Sequence, residues 1–365
     1  MLRHAILSSF LAKEVPVPIS AVDSITLAVE HTKQQLFRPF RIGQWTRLAF
    51  VGLLAGELGA NGCNRSNFQA PVHHGPMATP HFPAFSAIDP TLIAAAIAAI
   101  IASIAVGLIL MYVGSVMRFI LFDSVVAREC HIRWDWNRRL APGWRLFVFK
   151  LLYGILSLAG IALIIGIPVT FAFSAGWFHE PKQHLAPLVL AGAFLFCTFF
   201  VFLIATAVIF VLTKDFVVPQ MALESLDVME GWRRLWAMMK VEKGAYVAYV
   251  VMKMVLAIVA GILMGVATLI LGLIIAVPSI GLGILAVITG KTAGLTWNAH
   301  TIALAIGIGS VLLVVFFYLV ALIYVPAIVF FPAYSIHFFA GRYPRLQAEL
   351  YTPRPGPPGV APAAV

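Results

Sequence analysis

The chain has 365 residues, of which 61% are hydrophobic and 11% charged, with a net charge of +10. A water-soluble domain carries about 25% charged and about 45–50% apolar residues, so this composition excludes a purely soluble fold. The basic residues sit in short segments between apolar runs, a pattern that orients a membrane protein and meets anionic headgroups rather than nucleic acid. Three cysteines, Cys63, Cys130 and Cys197, make an odd set with no C-x-x-C pair and exclude a disulfide framework. Cys197 lies inside an apolar run, where it packs as a small hydrophobe.

The chain begins M-L-R-H-A-I-L-S-S-F, a basic start with a short apolar stretch but no small-x-small cleavage site after it, so it is read as retained. Residues 20–36 read as a helix lying on the membrane. Ser20 is its N-cap with Asp23 three residues on, Val22, Ile25, Val29 and Leu36 recur at helical spacing, and Pro39 ends it. A short first span, 48–60, contains Glu57, and a loop rich in Pro, His, Asn and Gly follows at 61–90. The second span, 91–122, is about 48 Å long if helical throughout. A basic, Trp-rich loop, 123–145, precedes a third span at 146–174, which Pro168 should kink.

A fourth span covers 186–213. The charged segment 214–243 contains an amphipathic helix, 221–239, with Leu223, Leu226, Trp232 and Leu235 on one side and Glu230 and Arg234 spaced to pair. A fifth span, 245–275, gives way at Pro278, Gly281 and Gly283 to a re-entrant or interfacial piece, and a sixth runs from Thr301 to Pro326–Pro332. The Pro-rich tail cannot pack and is read as disordered. The expectation is an all-α polytopic transmembrane bundle of about six spans, with an N-terminal segment 1–43, a membrane domain 44–340 and a tail 341–365.

Lys and Arg fix the orientation. The segments before span 1, between spans 2 and 3, between 4 and 5, and after 6 hold 21 of them, the opposite loops hold 3 (Arg65, Lys182 and Lys291), and Lys253 lies within a span. Both termini are therefore expected in the cytoplasm of a prokaryote, with the spans in its inner membrane. The bias also favours six spans over seven. An internal repeat accompanies it. Q-W-T-R (Gln44 to Arg47), G-W-R (Gly143 to Arg145) and G-W-R (Gly231 to Arg233) each precede an outward span, and the return spans end in related phrases at Phe122, Asp215 and Ile328. The reading is three helical hairpins in the same sense, each preceded by an interfacial helix.

The segments L-F-R-P-F-R-I-G-Q-W-T-R-L-A-F (36–50), M-R-F-I-L-F-D-S-V-V (117–126), G-W-R-L-F-V-F-K (143–150) and D-F-V-V-P (215–219) resemble an uncharacterised prokaryotic multi-pass family. Its members are often labelled as similar to the membrane domain of glycerophosphoryl diester phosphodiesterase. The resemblance spans roughly residues 20–345 and implies a six-span fold. It brings no catalytic motif, because nothing here looks like the soluble phosphodiesterase domain.

Charges within or at the edge of a span are functional candidates because of their insertion cost. Four qualify: Glu57, Asp123, Asp215 and Lys253, the two aspartates at matching repeat positions. Trp45, Arg47, Arg128, Arg133, Trp134, Trp136, Arg138, Arg139, Trp144, Arg145, Trp232 and Arg233 form the expected lipid or partner contact, since Trp favours headgroup level and Arg pairs with phosphate. Weak metal candidates are His73, His74 and His81, with Met77 and Cys63 nearby, at a spacing that matches no closed site. Gly261 and Gly265 permit close helix packing. No P-loop, G-x-S-x-G or H-E-x-x-H occurs. A non-enzymatic protein is therefore expected, without cofactor, whose partners are membrane lipids with anionic headgroups and a protein partner or second copy. A transporter of a small or lipid-like substrate is the alternative.

Overall fold

A computed structural model describes residues 19–57, 90–178, 183–292 and 298–351. The N-terminal stretch 1–18, the histidine-containing loop with Cys63, and the tail 352–365 lie outside the described residues. Among the described residues all regular structure is helical: α1 (Asp23–Phe37), α2 (Ile42–Leu54), α3 (Pro90–Ala127), α4 (Ile132–Ser174) and α5 (Leu185–Leu212) come first. A five-residue π-turn (Thr213–Val217) joins α5 to α6 (Val218–Glu224), and α7 (Val228–Val241), α8 (Lys243–Thr292), α9 (Ala299–Ala340) and α10 (Pro344–Tyr351) follow.

Among the described residues five helices are long and apolar enough to cross a membrane: Ile93–Ala127, Ile132–Ser174, Leu185–Glu224, Lys243–Gly290 and Thr301–Ala340. Uninterrupted apolar sequence leaves the backbone only its own carbonyls as partners in lipid, and the helix is the form that satisfies them within one segment. The same constraint carries α8 through Pro278 and α9 through Pro326 and Pro332. The break expected after residue 275 is therefore absent, and α8 extends for 50 residues, about 75 Å.

Other expectations also change. The stretch 48–60 is not a long helix: α2 has 13 residues and ends in a turn at Gly56, where φ is +80°. About 20 Å of helix falls short of the hydrocarbon thickness. The basic segment 123–145 is not a loop, since α3 runs to Ala127 and α4 starts at Ile132, leaving a four-residue turn in which Arg128 has φ +59°. Residues 344–351, assigned above to the tail, form α10, and Leu346 is buried. The cap of α1 is as read: the Ser20 hydroxyl accepts from the Asp23 amide at 3.1 Å and donates to its carboxylate at 2.6 Å. Its buried face differs from the expected one. Ser24, Ala28, His31, Thr32, Gln35 and Leu36 are buried while Val22 and Val29 point outward.

One end of the molecule holds nearly all of the core. Leu48 and Val51 of α2, Phe119–Phe122 of α3, Leu146 of α4, Phe216–Val218, Leu235 of α7, Tyr246 and Tyr249 of α8 and the stretch from Val325 to Ala340 of α9 pack together. Beyond this knot the helices extend as apolar arms, whose most hydrophobic windows are only 0–17% buried. Lipid is as apolar as Leu, so arms gain little by packing on one another. The knot is held by close approaches. A Cβ on Gly143 would lie 2.5 Å from Val116 Cγ2 and 3.2 Å from its Cα, and one on Gly231 2.7 Å from Val217 Cγ1. Gly143→Ala should therefore destabilise the fold by about 1–3 kcal/mol through overpacking. Gly107→Ala, with open space at its Cβ, should leave the melting temperature of the detergent-solubilised protein unchanged.

Candidate membrane-embedded charge site

Within the knot lies a cluster of ionised side chains drawn from separate helices. Glu57, immediately after α2, is 1% exposed. Its carboxylate forms an ion pair with Arg118 of α3 and accepts, at 2.5 Å, from Lys214 in the π-turn. The neighbouring residue of that turn, Asp215, accepts from Lys253 of α8 and, at 2.9 Å, from the hydroxyl of Tyr249. Glu57 and Lys253, both expected within a span, are each held inside by a partner.

The π-turn makes this possible. A wider turn admits one extra residue per hydrogen-bonded ring, a distortion that recurs at functional sites, and it places the adjacent Lys214 and Asp215 on different partners. It stands just before Pro219, whose ring would clash with the carbonyl four residues back in a regular α-helix. Aromatic rings then pin the turn: Phe216 lies 5.2 and 5.4 Å from Phe339 and Tyr246, and Tyr249 stacks on Tyr334 at 5.1 Å. The Thr213 hydroxyl accepts from the Trp232 indole at 3.2 Å.

Asp123 behaves similarly. It accepts two hydrogen bonds from Arg139, at 2.6 and 2.7 Å, while the same guanidinium donates to the Ala222 carbonyl at 2.8 Å. Arg139 is thus buried and unavailable to a headgroup. Several other residues of the expected contact face are also engaged internally. Arg47 donates to the Cys130 carbonyl, Arg128 to Gln34, Arg145 to Asp227 and the Ser225 carbonyl, and the Trp45 indole to the Leu36 carbonyl. Trp136 and Trp232 pack partly against the core. Arg133, Trp134, Arg138 and Trp144 face outward, Trp134 at 77% exposure, and Arg233 is exposed beside Glu230.

Arg118, Lys150, Lys214, Tyr249 and Tyr334 were missed as site residues. Arg118 and Lys150 were counted with the basic segment between spans and Lys214 with the next one. The same insertion-cost rule that singled out Lys253 would have found them. A second buried polar string was also missed. His31 donates from Nε2 to the Val125 carbonyl at 2.9 Å, its Nδ1 accepts from His337 Nε2 at 3.3 Å, and His337 Nδ1 accepts from the Tyr351 hydroxyl at 3.0 Å. The carbonyl requires a proton on His31 Nε2, and with both rings neutral the donors then run one way along the string, from Tyr351 to Val125. The string ties α1, α3, α9 and α10.

A family profile described as a family of unknown function, DUF7544, matches residues 19–348. The chain belongs to that family. No curated protein and no solved structure matches the chain.

Two outcomes follow from this geometry. Glu57→Gln leaves Arg118 and Lys214 without their carboxylate and should cost about 3–5 kcal/mol, the range for breaking a buried pair. Asp215→Asn with Lys253→Met should cost less than Asp215→Asn alone, read as a double-mutant cycle on thermal unfolding in detergent. Burial, with the Arg128 charge added and the Val125 carbonyl opposing, pushes His31 down to about 4 from an ordinary 6.5. The folded protein then binds fewer protons than the unfolded chain between these values, so stability should fall as pH drops from about 6.5 towards 4. His337, Tyr351 and Arg128 face the ring, and His31→Gln should flatten that part of the pH–melting curve.

Proposed function

We propose that this is a non-enzymatic protein of the prokaryotic cytoplasmic membrane that organises anionic lipid, or a membrane complex, from its basic edge. Both termini lie on the cytoplasmic side in this reading, as the Lys and Arg bias requires. The observation that carries it is the start of α4, where Arg133, Trp134 and Arg138 point outward from a rigid packed knot. Arg133 and Arg138 make no hydrogen bond or ion pair among the described residues. Indole at headgroup level beside free guanidinium is the chemistry that holds a phosphate-bearing surface. The long helices α3, α4, α5, α8 and α9 supply the arms, bare apolar surface for lipid or for another membrane protein to cover.

The competing reading is transport of a small or lipid-like substrate. It draws on the buried ion pairs and on an apolar groove of about 730 Å³ between α8 and α9, lined among others by Gly265, Gly272, Ser279, Gly309 and Phe316. Such a groove suits an acyl chain better than a polar solute. The likeness to proteins labelled as phosphodiesterase membrane domains is compatible with lipid contact and carries no catalytic residues.

Each exposed basic residue contributes about 1 kcal/mol at an anionic surface. Arg133→Gln with Arg138→Gln should therefore weaken association of the purified protein with phosphatidylglycerol-rich bicelles by roughly thirtyfold. Binding to phosphatidylcholine bicelles should stay unchanged. Equal binding of wild type and variant to the anionic bicelles would sink the reading.

A further inference from the structure

The buried cluster has more cations than carboxylates. Around Glu57 and Asp215 stand Arg118, Lys214 and Lys253, and Lys150 of α4 lies one turn on from the buried Leu146, on the face where Gly143 meets Val116 of α3. Among the described residues Lys150 has neither a hydrogen bond nor an ion pair, while every other cation of the group has a carboxylate. Four cationic side chains on four elements thus share two anions, in surroundings where an uncompensated charge is costly.

Placement narrows what completes them. Lys214 stands 29 residues from the far end of α5 at Leu185, about 44 Å of helix against about 30 Å of hydrocarbon. The cluster therefore lies near the level of the basic edge, where headgroup phosphates are. A recess beside it is lined by Arg118 and Lys214 together with Phe122, Pro332 and Ser335. Its volume of about 10 Å³ suits a single oxygen-sized atom.

We propose that Arg118, Lys214 and Lys150 form a binding site for a phosphate-type anion, with one phosphoryl oxygen seated in this recess against the guanidinium. Guanidinium donates along fixed directions, and the lysines follow the remaining charge on flexible stems. The phosphate is that of an inner-leaflet lipid headgroup or a free phosphate, two sources with the same recognition chemistry. With lipid as the source, the site deepens the lipid reading above, yet it uses none of the exposed residues on which that reading stands.

Lys150→Gln is the informative variant, because it removes a cation that holds no carboxylate and leaves both ion pairs intact. Full-length wild type, Lys150→Gln and Lys150→Arg, purified and delipidated in a zwitterionic detergent, are titrated with short-chain phosphatidylglycerol, short-chain phosphatidylcholine and inorganic phosphate. Melting temperature and native mass spectrometry are the readouts. The site requires phosphatidylglycerol or inorganic phosphate to stabilise wild type and Lys150→Arg, with affinity lower by roughly tenfold or more in Lys150→Gln. A response to the lipid alone assigns the headgroup, and a response to both admits free phosphate. Equal affinity in all three proteins, or no response to either anion, overturns the proposal. Should Lys150→Gln fail to fold, photoactivatable phosphatidylglycerol on wild type decides: cross-links at the recess wall support the site, and cross-links confined to the apolar arms refute it. If Arg133→Gln with Arg138→Gln loses bicelle binding while Lys150→Gln titrates like wild type, the recess falls and the surface reading stands.

Discussion

Two carboxylates, Glu57 and Asp215, set the terms for the rest of the structure. Neither is tolerable alone in an apolar interior, since an unpaired charge there costs several kcal/mol. Each therefore demands cations from other parts of the chain, and the demand is directional. Glu57 draws α3 and the π-turn onto the end of α2, and Asp215 draws α8 onto the same turn. Hydrophobic packing fills the space around these pairs, but inside a membrane apolar contact discriminates poorly between one arrangement of helices and another. Ion pairs and the tyrosine hydroxyl on Asp215 discriminate well.

Two of the related phrases in the sequence carry an aspartate, Asp123 and Asp215, and each takes a cation from a helix that follows it, Arg139 of α4 and Lys253 of α8. The third phrase has Ile328 at that place, fully buried among apolar neighbours. Gly143 and Gly231, in the two G-W-R phrases, serve one purpose as well: each lets its helix come close to a valine of a preceding element, Val116 and Val217. The glycine of the motif is thus a packing device, while its arginines stay exposed, Arg145 on Asp227 and the Ser225 carbonyl and Arg233 beside Glu230.

Helical class, the long apolar runs, the Ser20 cap and the Glu230–Arg234 pair were legible because they depend on residues near one another in sequence. Boundaries near prolines were not, because rules from water end a helix where lipid forces it onward. The α1 face was misread for a related reason. Val22 and Val29 marked the apolar side, whereas the side facing α9 carries His31, Thr32 and Gln35, which find partners only in the folded molecule or along the helix itself. Arg118, Lys150 and Lys214 were obscured by their position, a turn or two inside the apolar ends, where a count of loop charges absorbs them.

Stability and exposure are therefore divided along the molecule's length. The knot holds the ion pairs, the stacked aromatics and the histidine string, and the arms hold almost none of these. An arm without internal contacts takes its disposition from whatever surrounds it, while its root is fixed by Glu57 and Asp215. Lys150 is the exception at the root: a cation on α4, beside the junction, with no carboxylate to hold it. A ligand that satisfies Lys150 also bears on Arg118 and Lys214, and through them on Glu57 and the turn that carries Asp215. Such a ligand acts on the anchorage of α3, α4, α5 and α8 together, which makes this recess the point where a small anion has the most leverage over the arms.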